Sequence, residues 1–173
     1  YSIELNFSEV EQIKKDRDIK DTYLPKNIFE SEQRWIGNIG ELGFKSWLDE
    51  MDWPYMYWNQ ETKKDISDFT LGRLQIDVKT LSTTCFPKLN YSGEVAISQL
   101  ENDIVNAYVF ARYIMKEKKI VIMGWLPKYE FLEKAILRKK GEKLNEFFTV
   151  TSDMMEIKIY QLRPLIDLDR FRG

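Results

Sequence analysis

The stretch DFTLGRLQIDVKT, residues 68–80, decides the fold. Gly72 separates two β-prone runs, 66–71 and 73–80, and a turn-forming glycine between such runs predicts a hairpin. Side chains alternate along a strand, so Asp77 and Lys79 share one side and Val78 takes the other. A hairpin turning at Gly72 and Arg73 brings Asp68, where the first strand opens, alongside Asp77, near the end of the second. Two carboxylates so placed repel each other, and a divalent cation relieves the repulsion. Lys79 then reaches a water or a phosphate beside that ion.

Upstream, Ser31 is placed to cap a long helix running to about Asp49. Trp35, Ile39, Leu42 and Trp47 or Leu48 recur at helical spacing and make one apolar face. Gly37, Gly40 and Gly43 sit inside it, each costing about 1 kcal/mol relative to Ala. Three such glycines imply close approach of another backbone or a ligand, or tight packing on a sheet. Glu41 projects from this helix as a third oxygen ligand or as the holder of a metal-bound water. Residues 8–20 (SEVEQIKKDRDIK) form a charged helix that Tyr23-Leu24-Pro25 breaks. The expected organisation is therefore an N-terminal helical arm, 1–30, and a single domain, 31–173.

Downstream, a strand is expected at 55–59, a loop at 81–94 and a short helix at 95–103. The strongest strands are 107–115 (AYVFARYIM) and 120–125 (IVIMGW), joined by a turn at the charged KEKK of 116–119. A helix over 128–140 stops at Gly141, a strand covers 155–162, and the tail from 165 to 171 packs back. This order predicts an α/β fold, a central mixed β-sheet flanked by helices.

Composition narrows the chemistry. The chain has 173 residues, 43% hydrophobic and 31% charged, which suits one packed domain and excludes a largely disordered one. No apolar run reaches membrane-spanning length, so no membrane association is expected. The first residue is Tyr1 and no secretory signal is visible; one cysteine, Cys85, fits a reducing compartment. A cytoplasmic location, or the host cytoplasm for a viral chain, is expected. There is no histidine, which removes Ser-His-Asp triads, Cys-His pairs and histidine-bound zinc. Catalysis is left to carboxylates, Lys, Tyr, Cys or a metal held by oxygens. A net charge of −2 means that contact with nucleic acid rests on a local patch or on metal-assisted phosphate binding.

An acid, any residue, then Lys occurs five times: Asp18–Lys20, Glu61–Lys63, Asp77–Lys79, Glu117–Lys119 and Glu156–Lys158. Asp77–Lys79 stands apart because an acid on a paired strand and a Glu-bearing helix precede it. With that context, GNIGELGFKSWL (37–48) and DFTLGRLQIDVKT (68–80) resemble the PD-(D/E)xK nuclease superfamily, which has the restriction-endonuclease-like fold. The resemblance covers residues 31–126 in the order of elements. It implies Mg²⁺ surrounded by Glu41, Asp68, Asp77 and Lys79, with the Val78 carbonyl as a further ligand and Mn²⁺ as a substitute ion. Ser67 rather than Pro precedes Asp68, Asp65 competes with Asp68 as the first acid, and Asp77 is the shorter permitted second acid. Gln99 falls about where members often carry a Gln; a solvent-facing or capping amide is the plain alternative.

The expected activity is Mg²⁺-dependent hydrolysis of phosphodiester bonds in DNA, with RNA left open. The alternative is a catalytically inactive module of the same fold that binds nucleic acid or protein. Lys63 and Lys64 are candidate backbone contacts. Lys14, Lys15, Arg17 and Lys20, or Arg138, Lys139, Lys140 and Lys143, are candidate clamps, against the alternative of solvated helix faces beside compensating acids. Trp53, Tyr55, Tyr57 and Trp58 suit base stacking or, more simply, core packing. A homodimer is compatible with the sequence.

Overall fold

The computed structural model describes residues 1–4, 12, 28–58, 67–144, 146 and 148–172. Nine strands are present among them: β1 (Ser2–Glu4), β2 (Met56–Tyr57), β3 (Phe69–Leu71), β4 (Leu74–Thr83), β5 (Ser92–Ala96), β6 (Ala107–Ile114), β7 (Lys119–Pro127), β8 (Ile136–Arg138) and β9 (Met154–Lys158). The helices are α1 (Ile28–Glu50), α2 (Ile97–Leu100) and α3 (Lys128–Lys134), followed late in the chain by 3₁₀ turns at Ile159–Gln161 and Leu165–Phe171. The fold is α/β. Its main sheet is mixed, in the order β1-β7-β6-β4-β3-β2, and a second sheet has the order β5-β9-β8. Among the described residues, only the β4–β6 pair is parallel; the other pairs are antiparallel.

Alternation along β4 and β6 sorts the two faces. Leu74, Ile76 and Val78 of β4, and Ala107, Val109, Ala111 and Tyr113 of β6, enter the larger core beneath α1. Ile36, Ile39, Phe44, Trp47 and Leu48 of α1 are buried there. Each large apolar side chain so buried contributes roughly 1.5–3 kcal/mol, more than the helix glycines cost. Two of those glycines, Gly40 and Gly43, are explained by the sheet. A Cβ on Gly40 would lie 1.7 Å from Thr80 Oγ1, and one on Gly43 would lie 2.8 Å from the Ile120 side chain. Gly37 has open space.

The opposite face of the main sheet carries Tyr108 and Phe110 of β6 and Leu126 of β7. They pack with Val95 of β5, Ile157 of β9 and Phe131 of α3. One long helix therefore covers one face, and mostly a second sheet covers the other, where a sheet flanked by helices was expected.

Several local expectations need correction. Helix α1 begins three residues before Ser31, so Ser31 is not its cap; nothing in Ile28-Phe29-Glu30 breaks a helix. The strand expected at 55–59 is only β2. Strand β4 runs to Thr83 and β5 starts at Ser92, both inside the expected loop. The helix expected over 95–103 shrinks to α2, because Val95 and Ala96 pair with Met155 and Met154. The helix expected over 128–140 ends at Lys134, and β8 follows because residues 136–138 pair with β9. Gly141, at φ +88°, lies in a turn instead of stopping a helix. The last strand ends at Lys158, where a 3₁₀ turn begins.

At the N-terminus, Ser2–Glu4 is not part of a helical arm but an edge strand on β7, and Gln12 is helical. Residues 5–11 and 13–27 lie outside the described residues, and with them Lys14, Lys15, Arg17 and Lys20. The tail does pack back: Leu165 and Leu168 are buried in the larger core. Among the described residues, no helix is long and apolar enough to cross a membrane.

Candidate functional site

The β3–β4 hairpin turns at Gly72 and Arg73, and Gly72 adopts φ +54°, a conformation that favours glycine. A Cβ there would also lie 1.8 Å from the Phe171 carbonyl oxygen, so the returning tail closes over the turn. Phe69 pairs with Ile76, which places Asp68 level with Asp77. The Val78 N–H donates to Asp68 Oδ2 at 2.7 Å, and the Asp68 N–H donates to the Ile76 carbonyl at 2.9 Å. The first acid is thus clamped to β4 at the residue between Asp77 and Lys79.

Glu41 enters from α1. It is 6% exposed and accepts a hydrogen bond from the Tyr57 hydroxyl at Oε2, 2.9 Å. The Tyr57 ring of β2 stacks on Phe69 of β3, 4.8 Å between centroids, so this cross-strand aromatic pair sets the reach of that hydroxyl. On the opposite side of β4, Lys79 Nζ lies 2.5 Å from Asp77 Oδ2, both side chains being largely covered. The outer hairpin is braced by Gln75, whose Oε1 accepts from Ser67 and Thr70 hydroxyls, 2.8 Å each, while Trp58 Nε1 donates to Thr70 at 2.9 Å.

These groups share one electrostatic field. Burial first, then the charges of Glu41 and Asp77, push the Asp68 carboxyl well above its ordinary range. The Val78 N–H and Lys79 act in the other direction without offsetting them. Burial first, then Glu41 and to a lesser extent Asp68, raise Tyr57. Burial and Asp77 push Tyr108 up to about 12. A buried carboxylate facing two other acids is an arrangement that a cation stabilises.

Mg²⁺ takes one or two carboxylates and completes its shell with water and substrate oxygens. Asp68 and Asp77 supply two carboxylates at level positions of one hairpin. Among the described residues, no group of three or more acidic or thiol side chains is disposed to hold a metal ion. Glu41 therefore belongs to the field of the pair and not to a ready three-carboxylate cage.

The remaining candidates separate from this cluster. Lys63, Lys64 and Asp65 lie outside the described residues. Gln99 is exposed on α2, and its side chain makes no hydrogen bond among the described residues. Arg138 is on β8 and donates to Glu156 and Glu142, 2.6 Å each, and Lys139 to Asp153 at 2.9 Å. Those two cations are matched by acids, while Lys140 and Lys143 are exposed. Trp53 is core, Tyr55 and Tyr57 pack against that core, and Trp58 is exposed. Sequence reasoning missed Tyr57 as the support of Glu41 and Tyr108 as the neighbour of Asp77. Both were visible only as aromatics in strand-like runs.

No family model matches the chain, and no curated protein matches it in sequence.

Proposed function

We propose that the chain is a Mg²⁺-dependent nuclease of restriction-endonuclease-like fold that hydrolyses phosphodiester bonds of DNA. The observation that carries this is the convergence of Asp68 and Asp77 on one hairpin, with Glu41 of α1 in the same buried field and Lys79 against Asp77. The parallel β4–β6 pair beneath a long helix supports the same fold.

In this mechanism Asp68, Asp77 and the Val78 carbonyl would hold the ion, and Mn²⁺ would substitute for it. When bound, the ion supplies a water of lowered pKa and neutralises charge on the phosphate. Lys79 either orients the attacking water, or as a neutral amine takes its proton, or as an ammonium stabilises the charge that builds on the phosphate oxygens. Glu41, held by Tyr57, steadies the outer side of the shell. Lys63 and Lys64 contact the nucleic-acid backbone, and Gln99 is a candidate substrate contact. With a net charge of −2, binding depends on these local groups and weakens steeply with salt. On this reading it acts in the cytoplasm, or in the host cytoplasm for a viral chain, and a homodimer is compatible with the sequence.

A second possibility, an inactive binding module of the same fold, is favoured by the engagement of Lys79 with Asp77 and by the lack of a three-acid group among the described residues. Cleavage of linear, circular and single-stranded DNA with Mg²⁺ or Mn²⁺, beside matched RNA, separates the two. Wild type should cut, and Asp77→Asn and Lys79→Ala should each lose about 10²-fold or more. An inert wild type supports the binding module, variants as active as wild type misplace the site, and cleavage of RNA alone changes the substrate.

A further inference from the structure

Among the described residues, the buried hydroxyls left without a hydrogen-bond partner are those of Thr80 and Tyr108. Thr80 faces Gly40 of α1 and is accounted for by that close approach. Tyr108 has no such account. It is wholly buried, on the face of the sheet away from α1. In the parallel β4–β6 register it stands beside Asp77, just as Val78 stands beside Val109. Val78 and Val109 both enter the α1 core, so Asp77 and Tyr108 both point to the other side. Neighbouring strands are about 4.8 Å apart, which puts the two side chains side by side.

The ring is fixed by Phe110 at 6.4 Å and Phe131 at 5.2 Å between centroids. It therefore cannot easily swing its hydroxyl to another partner. An ordinary phenol is protonated at neutral pH, so it can serve as a donor. A buried hydroxyl without a partner costs about 1–3 kcal/mol, and such groups are ordinarily satisfied by a water or an ion.

We propose that Tyr108 is a positioning residue of the metal site: its hydroxyl donates to a water held against the Asp77 carboxylate, fixing that carboxylate for the cation. This rests on the metal reading of the Asp68–Asp77 pair and adds a group from a different strand. Partners of ligating carboxylates typically change metal affinity 10–100-fold.

The test is Mn²⁺ binding by titration calorimetry on the full chain, comparing wild type, Tyr108→Phe and Asp77→Asn, with metal-free melting measured alongside. Tyr108→Phe keeps the ring in its aromatic cluster. It should raise the Mn²⁺ dissociation constant about tenfold, while metal-free melting does not fall. Wild-type affinity in Tyr108→Phe, with binding lost in Asp77→Asn, overturns the role of Tyr108 and leaves the metal site standing. Absence of Mn²⁺ binding by wild type overturns both. Should Tyr108→Phe fail to fold, a crystal structure of the wild-type protein decides. A water within hydrogen-bond distance of both the phenol oxygen and an Asp77 oxygen supports the proposal, and a dry contact overturns it.

Discussion

Glu156 and Asp68 are both buried acids, and their neighbours drive them in opposite directions. Burial alone would raise Glu156, but hydrogen bonds from Lys158, Ser92 and Arg138 more than reverse this and bring it to about 2. Asp68 meets Glu41 and Asp77 and rises. Glu156–Lys158 and Asp77–Lys79 are the same acid-x-Lys pattern on strands, yet the first is a satisfied ion cluster and the second lies beside a strained carboxylate. The lowered pKa of Glu156 sets a sign. Its contribution is present above the unfolded carboxyl value near 4.3 and is lost as pH falls towards 2. Glu156→Gln keeps the shape but leaves Arg138 and Lys158 without this counter-charge. Urea unfolding at pH 7 should show a loss of about 3 kcal/mol. The gap between variant and wild type should close as pH is lowered from 5 towards 2. A gap independent of pH would mean that packing, not charge, holds this cluster.

At the scale of elements, α1 depends on how closely it can lie on β4 and β7. Gly40→Ala puts a methyl into the Thr80 side chain and should cost about 1–3 kcal/mol. Because Glu41 is the next residue, the same change should also weaken Mn²⁺ binding. Gly37→Ala meets nothing within 4 Å and should stabilise by up to about 1 kcal/mol through helix propensity. Denaturant melts of the two variants, read by circular dichroism, check the contrast; equal effects would show that α1 does not sit on β4 as described. The elements legible in the sequence were those with a strong local signal. Strands β6 and β7 are long apolar runs, α1 has a periodic face, and Gly72 marks the hairpin that brings Asp68 to Asp77. Strands β5 and β8 were not legible. Ser92 and Gly93 look like loop residues, and 136–138 continue a helical pattern, until β9 supplies their hydrogen bonds. Gly93 itself is required by Phe110, whose ring a Cβ there would meet at 2.3 Å. Tyr57 and Tyr108 were missed for the same reason, since their roles arise from partners far away in sequence.

For the whole molecule, the candidate site joins the α1 helix to the β3–β4 hairpin, so occupying it should be felt by global unfolding. An ion that binds the native chain and not the unfolded one adds about 2.7 kcal/mol at one hundred times its dissociation constant. For a chain of 173 residues that corresponds to a rise in Tm of roughly 5–10 °C. Asp68→Asn should behave in the opposite way. The amide oxygen can still accept the Val78 N–H, while the buried charge facing Glu41 and Asp77 is gone. A folded pKa raised above the unfolded one makes ionisation costly. Wild type is penalised as pH rises above about 3.9, the penalty growing until the folded pKa is passed. Metal-free Asp68→Asn should therefore melt higher than wild type at pH 8, lose that advantage near pH 4, and show no Mn²⁺-dependent rise at any pH. Scanning calorimetry of both proteins with and without Mn²⁺ measures all three. If wild type shows no rise in millimolar Mn²⁺, or the variant shows the same rise, the ion is not held by this pair of carboxylates.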